Sequence, residues 1–463
     1  MSGLQYAGEY SLDALRILTS SGAIFDIKKL VQYIEIYEDL DNPFLSGTIT
    51  FLDIDNIIEN APIIGQEFLA LKITTPDLEE ISIDFTENVF SIFKILAKDD
   101  VNLNTQAFTL SFCSSELVRS NRTKISKSYT NSIDKIVELV MRDSRYVNTK
   151  KKLFFEPTSG IRKIVSPNLP PFHFLNQLKE EALSEKYSSP HYFFYETCGG
   201  ENKGIHFRSL QSMFASGIVG VYNTGDLEPT GGKQKEVINA YQRVLQYQVN
   251  ANNDMLLNTK GGMLGSKITT HNLLNKNVQS KTFNYFNDFD KFGRIDENPI
   301  YNNTSIDKDN NTIGSFSDAK TFVHPVYADN NGFDQQHTDS NENYLYKNSG
   351  IFDALQHRQS KKMELELGVN ISLKVLGNTT ISVGQMIDLT IPITGRVHEK
   401  ENNEYLSGRY LITKTKHMFI QATREHEVLI HACKDSLPKE YPIHQDSSEP
   451  VASSDSSVNV TYT

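Results

Sequence analysis

The sequence predicts a mostly β chain of α+β class, in which two antiparallel β regions flank a smaller α+β domain. Three observations carry this. A length of 463 residues suits about three domains at ~150 residues each, more than one core serves well. Period-2 alternation dominates residues 24–112 and returns after 235, whereas helical periodicity is confined to 113–215 and one later segment. Turn formers (Asp, Asn, Gly, Pro) punctuate the strand runs.

In VQYIEIYEDL (31–40), Gln32, Ile34 and Ile36 share one face and Tyr33, Glu35 and Tyr37 the other, the pattern of a half-buried strand. Asp41-Asn42-Pro43 supplies a turn, and SGTITFLDI (46–54) resumes as an antiparallel neighbour. QEFLALKITTP (66–76) and ISIDFTENVFSIFKILA (81–97) form a second pair broken at Pro76-Asp77, which makes this region a barrel or a sandwich. The glycines Gly47 and Gly65 fit turns or bulges with positive φ. Glu38, Asp39 and Asp41 read as a solvated turn in preference to an acid/base site.

NSIDKIVELVMRD (131–143) places Ile133, Ile136, Val137, Val140 and Met141 on one helical face behind an Asn131 or Ser132 cap. A second helix opens at Pro171, with Phe174, Leu175, Leu178 and Ala182 as its stripe. HYFFYETCGGENKGIHFRSL (191–210) is a hairpin turning at Gly199-Gly200-Glu201-Asn202, and its aromatics Tyr192 to Tyr195 suit core packing better than a stacking platform. Strand runs return at 236–250 and 266–276. Residues 284–350 are so rich in Asn, Asp, Ser, Tyr and Gly that they read as an inserted excursion, either partner-facing or partly mobile. A helix over 349–367 leads into strands at 368–378, 381–392 and 408–436, and a Ser-rich acidic tail ends the chain.

The two β regions echo each other. FLSGTITF (44–51) parallels YLSGRYLI (405–412), marking Ser46, Gly47, Ser407 and Gly408; IIGQEFLALKI (63–73) parallels SVGQMIDLTI (382–391), marking Gly65, Gln66, Gly384 and Gln385. The order of the echoes is reversed and the apolar phase after Gly65 is one residue off that after Gly384. Shared strand chemistry also produces such echoes.

A net charge of -11 and a pI near 5.6 exclude a surface built to hold nucleic acid, which needs clustered Lys and Arg. The cysteines Cys113, Cys198 and Cys433 lie far apart and read as buried thiols, not a disulfide framework. No basic n-region with an apolar core opens the chain and no run of eighteen apolar residues occurs, so neither a signal peptide nor a membrane anchor is expected. HEVLIH (426–431) misses the H-E-x-x-H spacing, and five residues apart on a strand its histidines point to opposite faces. GGMLGSK (261–267) lacks the P-loop order and reads as a glycine turn between strands. No catalytic, cofactor-binding or metal-binding residue is expected; 57 Asp and Glu residues always permit some carboxylate pair, which selects none.

Four segments in this order, 44–76, 166–210, 375–395 and 403–436, resemble the central hub protein of the baseplate in contractile-tailed, T4-like bacteriophages, a family related to type VI spike and phage late-control hub proteins. The resemblance covers residues 1 to about 436. It implies two tail-tube-like antiparallel β-barrels, one over 1–112 and one split between 216–285 and 355–436, with an α+β domain at 113–215 between them, a polar insertion at 286–354 and a tail at 437–463, and a homotrimer whose six similar barrels join a trimeric spike to the hexameric tail tube. It further implies a non-enzymatic structural role in the virion baseplate, assembled in the host cytoplasm. Tail tube or tube-initiator, tape measure and baseplate wedge proteins would be partners, with DNA passing unbound and no cofactor. A hub of a phage-derived injection system or type VI-like spike, and a tail-associated cell-wall hydrolase, are the alternatives. The excursion at 284–350 and the acidic tail depart from the family pattern.

Overall fold

The computed structural model describes residues 6–20, 22–53, 63–76, 81–102, 105–225, 239–251, 254–272, 276–304, 311–326, 338–339, 342–345, 351–393 and 402–442. The first β unit comprises β1 (Ser11–Leu18), β2 (Ile24–Asp26), β3 (Val31–Asp39), β4 (Ser46–Asp53), β5 (Phe68–Thr74), β6 (Ile83–Asn102) and β7 (Thr105–Ser114). All of their pairings are antiparallel. Alternation sets the core: along β4 every second residue is buried, and Ile49 and Phe51 join Leu15, Ile36, Phe90 and Phe112 in one apolar cluster.

The α+β domain follows with α1 (Ser115–Arg122), β8 (Ser128–Asn131), α2 (Ile133–Arg142), β9 (Leu153–Phe155), β10 (Arg162–Val165), α3 (Pro171–Glu181), β11 (Tyr192–Thr197), β12 (Gly204–Ser209) and α4 (Leu210–Phe214). The stripe read from sequence on α2 is its buried face. Pro171 opens α3, where its missing N–H costs no helical bond. Tyr192, Phe194 and Phe207 from the β11–β12 hairpin pack against both helices.

The second β unit comprises β13 (Ile218–Asn223), β14 (Val244–Ala251), an insertion, and then the last four strands. The insertion holds α5 (Met255–Gly261), β15 (Gly265–Asn272), β16 (Asn277–Asn284), β17 (Thr321–Val326), β18 (Thr338–Asp339), β19 (Glu342–Leu345) and α6 (Ile351–Leu367). After it come β20 (Val369–Leu376), β21 (Met386–Thr390), β22 (Gly408–Ile420) and β23 (Glu425–Lys434). The glycine turn at 261–267 joins a helix to a strand, not two strands: Gly262 at φ +88 ends α5 just before β15.

The polar excursion also differs from its reading. Tyr285, Phe289, Ile295, Ile300 and Ile313 are buried in the same core as β20–β23. A run so poor in apolar residues folds because paired charges anchor it. Glu364 on α6 holds Arg294 at 2.9 Å and Lys361 at 2.5 Å, and Lys361 also holds Asp435 at 2.8 Å. Tyr285 donates to Glu364 (2.6 Å) and the Ile295 N–H to Asp435 (3.1 Å). These ions are almost wholly buried, so each depends on its partners. The acidic tail beyond 442 lies outside the described residues.

Five strands of each β unit share one topology; the outer strand differs, β1 lying antiparallel on β5 and β13 parallel on β21, so the second unit is not wholly antiparallel. In chain order β3, β4, β5, β6, β7 lie in sheet order β3-β4-β7-β6-β5, and β14, β20, β21, β22, β23 lie in sheet order β14-β20-β23-β22-β21. Register agrees to the residue. Cys113 pairs with Ser91 and Ser46 in one unit, Cys433 with Leu411 and Asn370 in the other. Two bulges coincide: β6 skips a residue between Ile92 and Lys94, and β22 between Ile412 and Lys414, although β6 skips again at Ile95/Ala97 and Asp100/Asn102 where β22 does not. β3 skips one between Val31 and Tyr33, and β14 between Val244 and Gln246. The whole insertion therefore occupies one loop, equivalent to the short β3–β4 turn of the first unit. Among the described residues neither unit closes by a full ladder; an isolated bridge, Asn223 to Arg243, brings the end of β13 to the start of β14. The units share a 13-stranded sheet because β22 pairs with β3.

Gly47 is not in a turn. It lies within β4 without positive φ, and a Cβ there would stand 2.3 Å from both the Glu35 carbonyl oxygen and the Phe112 ring. Gly47→Ala is expected to lower unfolding free energy by about 1–3 kcal/mol, measured by urea denaturation. Gly217→Ala, with nothing within 4 Å of its added carbon, should stay within about 0.5 kcal/mol.

Candidate functional site

The chemistry-bearing side chains that the fold gathers lie where β3, the β11–β12 hairpin and β22 meet. Glu38 continues the buried face of β3 after Ile34 and Ile36 and is 1% exposed; the solvated-turn reading holds for neither its burial nor its contacts. Its Oε1 accepts from the Cys198 N–H (2.6 Å) and the Ser382 hydroxyl (3.3 Å). Oε2 accepts from the Val383 N–H (2.8 Å) and the Thr415 hydroxyl (2.9 Å). One carboxylate thus joins the first unit, the α+β domain and the second unit. Four donors compensate its desolvation. Beside it, the turn glycine Gly199 lets the hairpin reach the Thr379 carbonyl, which a Cβ would meet at 2.3 Å, and the Gly200 N–H donates to that oxygen at 2.8 Å.

Two imidazoles extend the cluster. His417 Nδ1 and His426 Nε2 share a proton at 3.0 Å, and Phe419 stacks on His426 at 4.1 Å. Among the described residues His426 Nδ1 has no hydrogen-bond partner, and the Ile381 carbonyl lies near His417 and favours its protonated form. Burial pushes both imidazoles below their ordinary value, offset for His417 by Glu38. His431, the other histidine of HEVLIH, faces the opposite side of β23 and meets the Ser372 hydroxyl at 2.8 Å. Glu38, Cys198 and His417 present ligand atoms within 4.8 Å of one another, the one such group among the described residues. Both Glu38 oxygens are already engaged by donors, so the group works as a hydrogen-bonded clasp. Burial, then Glu38, raises the Cys198 thiol well above its usual range; it is inert as a nucleophile. Cys113 and Cys433 are likewise buried and unpaired.

A second buried cluster fastens the first unit to the α+β domain. Lys151 lies 2.7 Å from both Glu116 of α1 and Glu196 of β11. Ser114 donates to Glu196 (2.8 Å) and Thr149 to Glu116 (2.8 Å). Burial disfavours all three charges. The two carboxylates still hold Lys151 above its usual value, and Lys151 holds Glu116 below its own. For Glu196 burial prevails and the pKa rises.

The paired sequence marks separate on inspection. Gly65 (φ +87) and Gly384 (φ +77) both turn the chain into equivalent strands, β5 and β21. The Glu67 carboxylate caps the N–H groups of Ile64, Gly65 and Gln66, and the Gln385 side chain caps that of Ser382. Glu67 and Gln385 occupy one position, since their carbonyls accept from Ile92 and Ile412. The first turn is one residue longer, which accounts for the phase slip. The other echo is not structural: Ser46-Gly47 open β4, while Ser407-Gly408 open β22, the partner of β6 in the other unit. Gly408 has φ +114, and the Ser407 hydroxyl accepts from the Ile391 N–H at 3.0 Å.

A cleft of ≈ 500 Å³ between α3, α6 and β22 contains four carboxylates. Each has a cationic partner: Lys414 with Asp39, Lys179 with Asp41, Arg358 with Glu180 and Lys362 with Glu366. No helix of the described residues is long and apolar enough to cross a membrane.

This fold, two β units alike in five strands with an α+β domain clasped between them, is shared with two tail proteins of solved structure. A tail protein from Neisseria meningitidis MC58 superposes with a TM-score of 0.52 at 9% identity, over 94% of this chain and 100% of that one. The 43 kDa tail protein of prophage MuSo2 from Shewanella oneidensis gives 0.51 at 10%, over 91% and 98%. An Escherichia coli component of the type VI secretion system aligns with a TM-score of 0.45 at 10% identity, over 94% and 78%. No protein-family profile and no curated protein sequence matches the chain.

Two outcomes are expected. Glu38→Gln turns an acceptor into a donor facing other donors and should cost about 2–3 kcal/mol, while Asp39→Asn, which loses a surface pair with Lys414, should cost under about 1 kcal/mol. Burial also lowers His206 from 6.5 to about 4 and His191 well below its usual range. An imidazole with a depressed native pKa adds stability that is complete above about pH 6.5 and lost as the pH falls toward the native value, because only the unfolded chain takes the proton. Unfolding free energies from urea titrations should therefore drop between pH 6.5 and 4, by up to about 1.4 kcal/mol per pH unit for each such group. His426→Phe should flatten that slope.

Proposed function

We propose that the protein is a non-enzymatic structural hub of a phage tail baseplate: a homotrimer whose paired units make a pseudo-six-fold ring between a trimeric spike and the hexameric tail tube. The observation that carries this reading is the residue-level equivalence of the two β units within one chain. A chain with two like units side by side converts three copies into six like positions, which is what a three-fold to six-fold adaptor requires. The tail-protein fold supports a tail location. The net charge of -11 suits a conduit that lets DNA pass, since cationic contacts would retain it at dissociation constants of roughly 10⁻⁴–10⁻⁶ M. Tube or tube-initiator, tape measure and wedge proteins would contact its other faces.

Purified protein examined by light scattering and electron microscopy, alone and with its trimeric spike, should give a trimeric mass and a three-fold ring with six-fold character on one face. A strict monomer that also leaves the spike unbound would overturn the reading. Peptidoglycan clearing by the purified chain would establish a hydrolase instead.

A further inference from the structure

β6 is 20 residues long, yet β5 covers only its Ile83–Ser91 part. From Phe93 onward its outer edge has no strand partner among the described residues, and Phe93 (52%), Ile95 (38%), Leu96 (47%) and Val101 (57%) are exposed. β14 ends the shared sheet at the opposite side, pairing with β20 alone among the described strands. Its Leu245 (46%) and Tyr247 (42%) are exposed too. Bare edges carrying apolar side chains invite pairing with another chain.

The chain already shows what covers such edges. β22 pairs with β21 over its first residues and then runs on to pair with β3, Thr415 opposite Glu38 and Met418 opposite Glu35. By the common register, β6 is the counterpart of β22 and β14 the counterpart of β3. Both members of this second pair lack the neighbour that the first pair has. We infer that β6 of one copy pairs antiparallel with β14 of a second copy of this chain, repeating between subunits the seam that β22 and β3 make within one. Transferring the internal register by way of the β6–β7 and β22–β23 pairs places Ile95 opposite Ala251 and, past the extra bulged residue Leu96, Lys98 opposite Val249 and Asp99 opposite Gln248. The contact is head-to-tail, so each copy offers β6 to one neighbour and β14 to the other, and repetition generates a ring. This inference rests on the ring assembly proposed above and specifies its joint.

Cysteine pairing tests it. Both cross-strand spacings of an antiparallel ladder fall within disulfide range, Asp99 and Gln248 are exposed, and the native cysteines are buried. After mild oxidation the Asp99→Cys/Gln248→Cys full-length protein should run mostly as linked dimers and trimers on a non-reducing gel. Each single variant, and the off-register pair Asp99→Cys/Gln246→Cys, should lose most of that ladder. A trimer by light scattering with no register-specific link would overturn the inference while leaving the ring reading intact. A chain monomeric throughout, or linked only within itself, would overturn both.

Discussion

The Glu38 carboxylate and the β22–β3 ladder around it are the constraint on which the rest of the structure depends. A buried carboxylate tolerates no missing donor, and its four come from the hairpin turn, the loop before β21 and β22. Those elements belong to three segments far apart in sequence. Their mutual positions are fixed to the precision of a hydrogen bond, which apolar packing alone does not provide. The Lys151 triad adds a second fastening between the first unit and the α+β domain. Rigid relative placement of two like units is what an adaptor between symmetries needs, because error in one chain is repeated around the ring.

The two units keep the order of five strands and two bulges in common while most side chains differ; Cys113 with Cys433, Ile92 with Ile412 and Lys94 with Lys414 are among the few that match. Gly47 and Ile371 occupy one position, as do Ser111 and His431. What persists is backbone geometry, since a bulge sets local twist and twist sets how a sheet curves. Divergence is concentrated in the loop between β14 and β20. It has grown into a subdomain whose own charge network, Arg294, Lys361, Glu364 and Asp435, anchors it to α6 and to the end of β23.

Much of the fold was legible residue by residue. Alternation located β3 and β4, the stripe of Ile133 to Met141 located α2, and Pro171 located the start of α3. The Gly65 and Gly384 echo was legible as well, because a positive φ before a strand calls for glycine. Glu38 was not. Its neighbours Asp39 and Asp41 make a local picture of a wet turn, and its donors lie 160 to 377 residues away. The excursion misled for a similar reason: its Asn and Asp content is that of a loop, and its ordering comes from ions supplied by α6 and the β23 end. The likeness of Ser46-Gly47 to Ser407-Gly408 misled in the other direction, since two inequivalent strands happen to open with the same small residues.

By itself the sequence determined the local states, the strand periods, the helix faces, the turn glycines and an acidic surface unsuited to gripping DNA, because each follows from short-range sterics or from summed charge. The tertiary structure alone decided which carboxylate is buried, which repeat is real, and that β6 and β14 have no neighbour among the described strands where β22 and β3 have each other. Those outcomes depend on register between strands hundreds of residues apart, and register is a property of pairing that no single strand contains.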